Sequence, residues 1–522
     1  MKSYSSKTSL YNQVPRVNHP RSTFKRPQNL KTTFNSSVVR PIYCQPVLPG
    51  DTVDLQMHNF VRMMPLVQPI MDNIYVDVHF FFCPTRIVWD NFPKFMGEQK
   101  NPGDSTDFLV PVTTSPASTG YQVGTLGEAF GIRQGVPNIT HSSIPLRMYN
   151  LIWNEWFRDQ MLQQSAPVPT GDGPDNITDF ILRPYNKFHD YFTSALPAPQ
   201  RGPSVMIPSV SQIPVTGLYA YGTAGTSGAA WDTKGNAAAG NSATVSLSAR
   251  TQATGAVSAT NLPVITADLS SNTVATINAL RQAEAIQTLF ERDARGGTRY
   301  AESNLVHFGV RSSDARLQRP EYLGGNSVPV NITPVLQTSE TGSTPQGNMA
   351  ANGVLSSSNA SFIKSFEEHG YIIGVVCARS DIHYQQGTDR DWFKRTRLEH
   401  YVPALANIGE QAILKEEIYT QGTPVDKEVF GYIPRWDEYR YATSRITGAL
   451  NSDTPASLDI WHLAQDYNAV PALNDSFVKD GTPEGRVLAV PTEPAFIGDF
   501  QFDQRWTRVM PMYSIPGMGS RL

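Results

Sequence analysis

Cysteine is scarce: three residues in 522, at Cys44, Cys83 and Cys377. They are odd in number, far apart and not at ligand spacing. That argues against a disulfide framework or a structural zinc site and points to a reducing compartment. Charge is sparse as well. Asp, Glu, Lys and Arg make up 17% of the chain, against roughly a quarter in ordinary globular proteins. Much of the surface is then neutral or apolar, as suits a chain covered by other subunits; a β-rich monomer with a hydroxyl-rich surface is the plainer alternative. The longest apolar runs, Val76–Cys83 and Tyr371–Ala378, are far too short to cross a bilayer, and the polar N-terminus has no secretory character. With no such signal, the Asn-x-Ser/Thr sequons at Asn35, Asn138, Asn176, Asn331, Asn359 and Asn474 read as chance. Catalytic signatures are missing too: there is no Gly-x-Ser-x-Gly, P-loop, Gly-x-Gly-x-x-Gly or His-Glu-x-x-His. No catalytic residue, cofactor or metal is expected. The loop Gly171–Thr178, with Asp172, Asp175, Asn176 and nearby Asp179, offers oxygens to a hard cation. It lacks calcium-loop spacing and reads as a turn.

Acidic residues are absent from the first fifty positions, which carry Lys2, Lys7, Arg16, Arg21, Lys25, Arg26, Lys31 and Arg40. Tyr4, Tyr11, Phe24 and Phe34 are interleaved with them. Cations for phosphates and rings for bases suit single-stranded nucleic acid; a solvated tail or an arm on a neighbouring subunit is the plainer alternative.

What the chain has in quantity is turn formers, 39 Pro and 38 Gly, which favour short strands over long helices. Ile42–Leu48, Thr52–Val61 and above all Ile74–Cys83 read as strands, with Asp77 and His79 on a polar face. Phe366–Ala378, Ala412–Leu414 and Val429–Ile433 are further strand-like pieces. Two segments have helical spacing. Arg147–Gln163 carries a stripe of Tyr149, Ile152, Trp153, Trp156, Phe157 and Met161, with Asn154, Arg158 and Asp159 facing away. Thr276–Asp293 has an apolar face of Ile277, Leu280, Ala283, Ile286 and Phe290. A β-sandwich or jelly roll with elaborated loops follows. Asp389–Arg397 gathers opposite charges around Trp392 and Phe393, as an interface anchor or a solvated loop would.

Between Pro203 and Ala275 the composition shifts to Gly, Ala, Ser, Thr and Asn, with only Asp232, Lys234, Arg250 and Asp268 charged. Such a segment buries too little apolar surface to order itself alone. Ala243–Leu247 and Leu262–Ile265 alternate enough to pair as strands. The stretch reads as a long insertion, projecting from a scaffold and ordered by partners.

The segment from Thr276 to Gly325, including NALRQAEAIQTLFERDARGGTRYAESNLVHFGVRSSDARLQRPEYLGG, closely resembles the major capsid proteins of the Microviridae, gokushovirus branch. Leu48–Asp51, Pro69–Asn73, His79–Gly97, Leu146–Phe157, Asp190–Gly202 and Trp506–Pro511 match the same pattern in order. The resemblance implies a mainly β protein, an eight-stranded antiparallel jelly roll, assembled into a T=1 icosahedral shell around circular single-stranded DNA. It divides the chain into a basic inner arm (1–50), a first part of the jelly roll (51–202), an external three-fold protrusion for host attachment (203–275) and the remainder (276–522). The partners it implies are sibling chains in pentamers and a 60-copy shell, the DNA genome, internal DNA-binding, scaffolding and pilot proteins, and a host cell-surface receptor. The implied location is the virion, assembled in the host cytoplasm.

On that reading Lys2, Lys7, Arg16, Arg21, Lys25 and Arg26 are the DNA-contact candidates. Arg292, Arg295, Arg299, Arg311, Arg316, Trp392 and Phe393 are candidates for subunit contact. Tyr219, Tyr221 and Trp231 are candidates for host attachment within the insertion. Two other classes compete. One is a carbohydrate-binding or carbohydrate-acting β-sandwich with Trp153, Trp156, Trp392 and Trp436 as sugar platforms, which needs a carboxylate pair that nothing marks. The other is a trimeric receptor-binding or tail protein.

Overall fold

Alternation builds the sheets. In Thr52–Met63 the side chains of Val53, Leu55, Met57, Asn59, Val61 and Met63 are buried, and those between face water or are half-covered. This is the period a pleated strand with one wet face requires. Phe496–Arg508 repeats it with Phe496, Phe500, Phe502 and Trp506 inward. Ile74–Pro84 instead is covered on both faces, as its unbroken β-branched and aromatic run demands.

The computed structural model describes residues 20–203, 205, 215–216, 266–267, 277–342 and 344–513. Its main strands are β1 (Ser22–Lys25), β2 (Gln28–Phe34), β3 (Val38–Val47), β4 (Thr52–Met63), β5 (Ile74–Pro84), β6 (Arg183–Pro184), β7 (Glu321–Pro329), β8 (Asn331–Leu336), β9 (Met349–Ser365), β10 (Gly370–Ser380), β11 (Glu410–Leu414), β12 (Val429–Pro434) and β13 (Phe496–Arg508). One sheet runs β1-β13-β4-β9-β8, with β2 also on β13; the other runs β7-β5-β10-β3-β6. Every pairing is antiparallel. β1 and β2 lie in line along β13, Ser22 opposite Arg508 and Phe34 opposite Phe496. Pro27, with no N–H to give, separates them.

The main core fills the space between the sheets. Tyr43 packs on Phe502 (ring centroids 4.9 Å apart) and Phe80 (6.1 Å). The Tyr43 hydroxyl and the Trp506 indole both donate to Oε1 of Gln504 at 2.6 Å, so that buried amide is paired. A second core covers the other face of the five-stranded sheet. There Phe81, Cys83, Ile373, Val375 and Cys377 meet Trp89, Tyr149, Ile152 and Trp153. A third gathers Tyr191, Phe192, Tyr384 and Phe477 against the β11–β12 hairpin. All three cysteines are free thiols.

Helix α1 spans Ile144–Ile152 and gives way to a single π turn, Trp153–Phe157, before an extended Arg158. The helix expected to run to Gln163 therefore stops early. Asn154, expected to face away, is buried instead. Its carboxamide donates to the Ala166 carbonyl and accepts from the Ala166 N–H, both at 2.8 Å. That pairing ties the loop at Ala166 to the π turn.

A second compact unit covers residues 200–292. Within it Val215–Thr216 pair antiparallel with Thr266–Ala267. Helix α2, Ile277–Arg295, extends two residues beyond the expected end. Ala283 is buried on it, whereas Ile277 and Leu280, expected on its inward stripe, are exposed. The strand-like pieces Ala243–Leu247 and Leu262–Ile265 lie outside the described residues.

The turn between β2 and β3 carries a pH dependence. The Ser36 N–H donates to Glu484 Oε1 at 2.7 Å, and burial pushes the Glu484 carboxyl from 4.5 up to about 7. The folded state thus holds this proton more tightly than the unfolded chain. Stability should fall as pH rises from about 4.5 to about 7 and level off above, a loss on the order of 3 kcal/mol from this group. Burial raises Asp480 as well, adding a slope of the same sign. Thermal melts across that window should slope downward, and Glu484→Gln should flatten them. An unchanged slope in the variant would remove Glu484 as the cause.

Candidate assembly surfaces and a cationic cleft

The wet face of the six-stranded sheet carries charge of both signs. Lys25 stands opposite Arg505, which stands opposite Asp54. Lys31 pairs with Asp499, and its hydrogen bond holds that carboxyl below its ordinary value. His58 lies 3.5 Å from Asp503, and the Arg62 guanidinium lies 5.1 Å from the Phe60 ring. Lys25 is exposed and has no carboxylate partner among the described residues. Arg21 donates to the Gly50 carbonyl. Arg26 is half-buried, 5.1 Å from the Trp506 ring, and donates to Gln45 Oε1 at 2.8 Å. Lys2, Lys7 and Arg16 lie outside the described residues.

Within the basic arm expected over 1–50, Ser22–Lys25, Gln28–Phe34 and Val38–Val47 form strands. Phe34, expected as a base-stacking face, is core, stacked on Phe496 at 5.3 Å. The alternation of half-buried and exposed positions in Ser22–Lys25 and Gln28–Phe34 was the available sign. Charge counting passed over it.

The arginines after α2 divide into two groups. Arg295 pairs with Glu410. Arg299 donates to the carbonyls of Asn154 and Arg158, each at 2.9 Å, and to Glu302 at 3.0 Å. It pins the end of the π turn, and its Nε lies 3.9 Å from the Glu155 carboxylate. Arg292, Arg311 and Arg316 are exposed. Trp392 is 79% exposed, whereas Phe393 is half-buried with the Lys427 ammonium 4.8 Å from its ring. Sequence reasoning missed other exposed large side chains: Met71, Leu109, Tyr300 and Phe308. The last two bound helix α3 (Tyr300–Phe308), on which no residue is fully buried.

The acidic loop serves the fold. Asp175 accepts from Arg147 at 2.6 and 2.7 Å, and Asp172 accepts from the Trp89 indole at 2.7 Å. Two of the four proposed sugar platforms are closed: Trp153 and Trp436 are buried, each indole donating to a backbone carbonyl.

One cleft stands out, with a cavity of about 480 Å³ over the outer face of β5. Trp156, Phe157, Tyr185, Phe188 and Tyr322 form its walls, and Arg158, Lys187 and Arg299 bring cations to it. Asp159 is the one carboxylate among its lining residues, already accepting from the N–H groups of Met161 and Leu162. Nε of Arg158 and Nε of Arg299 are enclosed without a hydrogen-bond acceptor. Burial and the neighbouring Arg299 hold the Arg158 guanidinium below its ordinary value. Burial lowers Lys187 to about 8. Its ammonium lies 4.2 Å from the Phe477 ring and makes no hydrogen bond among the described residues. Nothing in the sequence grouped these lining residues, which come from six separate segments.

Comparison with known proteins gives a consistent result. The family model described as "Capsid protein (F protein)" of phages matches residues 12–518. "Capsid protein VP1" of Bdellovibrio phage phiMH2K is 44% identical, the match covering 98% of this chain and 97% of that protein. The proteins of the same description from Chlamydia phage 1 and Spiroplasma virus 4 are 38% and 37% identical, covering 97% and 96% of both partners.

Proposed function

Since this chain belongs to the phage capsid F-protein family, we propose that it closes a T=1 icosahedral shell around single-stranded DNA. It is a structural protein of the virion and not an enzyme. The observation that carries the proposal is the end-to-end family match over residues 12–518.

Strand order supports the jelly-roll reading. Let β1 with β2 count as the first strand, followed by β3, β4, β5, β7, β9, β10 and β13. The sheets then run first-eighth-third-sixth and second-seventh-fourth-fifth, which is the jelly-roll order. Large apolar side chains left in water, Trp392 and Phe308 among them, suit contact with sibling chains in pentamers and a closed shell. The separate unit 200–292 suits an outward protrusion for host attachment, with Tyr219, Tyr221 and Trp231 as contact candidates outside the described residues. The basic segment ahead of β1, containing Lys2, Lys7, Arg16 and Arg21, suits phosphates, with Lys25 continuing it on the open sheet face. Arg26 is taken by Trp506 and Gln45 and contributes less. Internal DNA-binding, scaffolding and pilot proteins and a host receptor complete the set of partners.

Co-expression with the neighbouring phage genes, read by light scattering with absorbance at 260 and 280 nm, tests this reading. A multi-megadalton particle carrying nucleic acid is expected. A persistent monomer would sink it. Deleting residues 2–19 should leave particles whose absorbance ratio moves toward that of protein alone; an unchanged ratio would take the arm out of DNA contact.

A further inference from the structure

The cationic aromatic cleft is not explained by shell formation. Its position narrows what it can take. His79 and Phe81 project from the outer face of the five-stranded sheet, on the side of the second core. Lys25 and Arg505 project from the outer face of the six-stranded sheet. With the main core between the two sheets, these outer faces point in opposite directions. If the basic face and arm turn toward the genome, the cleft turns toward the medium. Two residues lining it, Thr193 and Arg299, stand close in sequence to Pro199 and Asp293, where the chain leaves and re-enters this unit around the proposed protrusion.

The chemistry of the cleft is equally restrictive. Ring faces accept the C–H face of a pyranose, and a pocket of mostly apolar wall with a few polar groups fixes orientation. Phe188 is 60% exposed and Tyr322 is 42% exposed, so both rings present area to a ligand. Arg158 and Arg299 line the cleft with Asp159 as the one carboxylate among its lining residues, and guanidinium pairs best with carboxylate or phosphate. Lys187 also lines the cleft, its ammonium packed against the Phe477 ring and attracted by Asp480 and Asp190. Glu155, Glu302 and Asp159 already offset part of the charge of Arg158 and Arg299, and an anion in the cleft would offset more of it.

We propose that the cleft between β5, the π turn and the 185–189 segment binds an acidic saccharide of the host cell envelope, one bearing carboxylate or phosphate. This rests on the capsid reading, which sets which face is outermost.

The test uses assembled particles of the full chain and three probes: trigalacturonic acid, neutral maltotriose and a five-residue oligothymidylate, followed by tryptophan fluorescence and calorimetry. Saturable binding of trigalacturonic acid is expected, with maltotriose weaker by about tenfold or more. Phe188→Ala and Arg158→Gln should each weaken trigalacturonic acid by about tenfold, and Arg158→Gln should also narrow its advantage over maltotriose. Long polygalacturonate, unable to enter an intact shell, should compete. Several outcomes overturn the proposal: no saccharide binding, binding indifferent to both variants, preference for oligothymidylate at the same site, or failure of the long polymer to compete. Failure of the capsid reading shows separately, as the absence of particles in light scattering before any probe is added.

Discussion

Arg147→Met should cost about 3–5 kcal/mol of unfolding free energy, the range seen when one member of a buried ion pair is removed. Arg147 and Asp175 are sealed, with side chains 0% and 3% exposed. Two hydrogen bonds at 2.6 and 2.7 Å join them, and a third runs from Arg147 to the Val88 carbonyl at 3.0 Å. Removing the guanidinium leaves a carboxylate without water or partner in the layer that covers the five-stranded sheet. The backbone links of Asp175 to Val112 and Thr113 survive, so the defect is electrostatic rather than a lost loop. Arg147→Met combined with Asp175→Leu should recover much of the loss, because neither charge then has to be buried. Denaturant melts of the two variants decide it. A double variant as unstable as the single would mean that packing, not charge, is the cause.

Phe80→Ala should destabilise the sandwich by about 3–5 kcal/mol, as large-to-small changes at sealed core sites do. Phe80 is 0% exposed and meets Tyr43, Phe362 and Phe502 between the sheets. Gly374 on the adjacent β10 makes room for it, since a Cβ there would lie 2.7 Å from the Phe80 ring and 2.9 Å from Tyr43 Cβ. Gly374→Ala alone should therefore also destabilise, by overpacking. The pair Phe80→Ala with Gly374→Ala should lose less than the sum of the two, because the new methyl enters the space the ring vacates. Strict additivity in a double-mutant cycle would show that the two sites do not share that space.

Local order in the sequence was a good guide wherever one side chain pattern had one outcome. Ile74–Pro84 was legible because a continuous β-branched and aromatic run has few alternatives to a covered strand. The sparse cysteines and missing catalytic motifs agree with a family of structural proteins. Charge was the poorer guide. The net basic count of the first fifty residues could not separate Lys25, free on a wet face, from Arg26, which turns inward to Trp506. Nor could helical spacing foresee that Asn154 is buried, because its partner Ala166 lies beyond the segment itself.

The sequence by itself determined the family and strands such as Thr52–Met63 and Ile74–Pro84, since each rests on residue order within a continuous stretch. Only the tertiary structure decided which arginines stay available. Arg295 is engaged by Glu410, and Arg299 by the carbonyls of Asn154 and Arg158 while it still lines the cleft, all partners more than a hundred residues away, while Arg292, Arg311 and Arg316 remain in water. The cleft is likewise a tertiary product. Its rings and cations come from segments that no local periodicity connects, and the fold brings the π turn and the 185–189 segment together over β5.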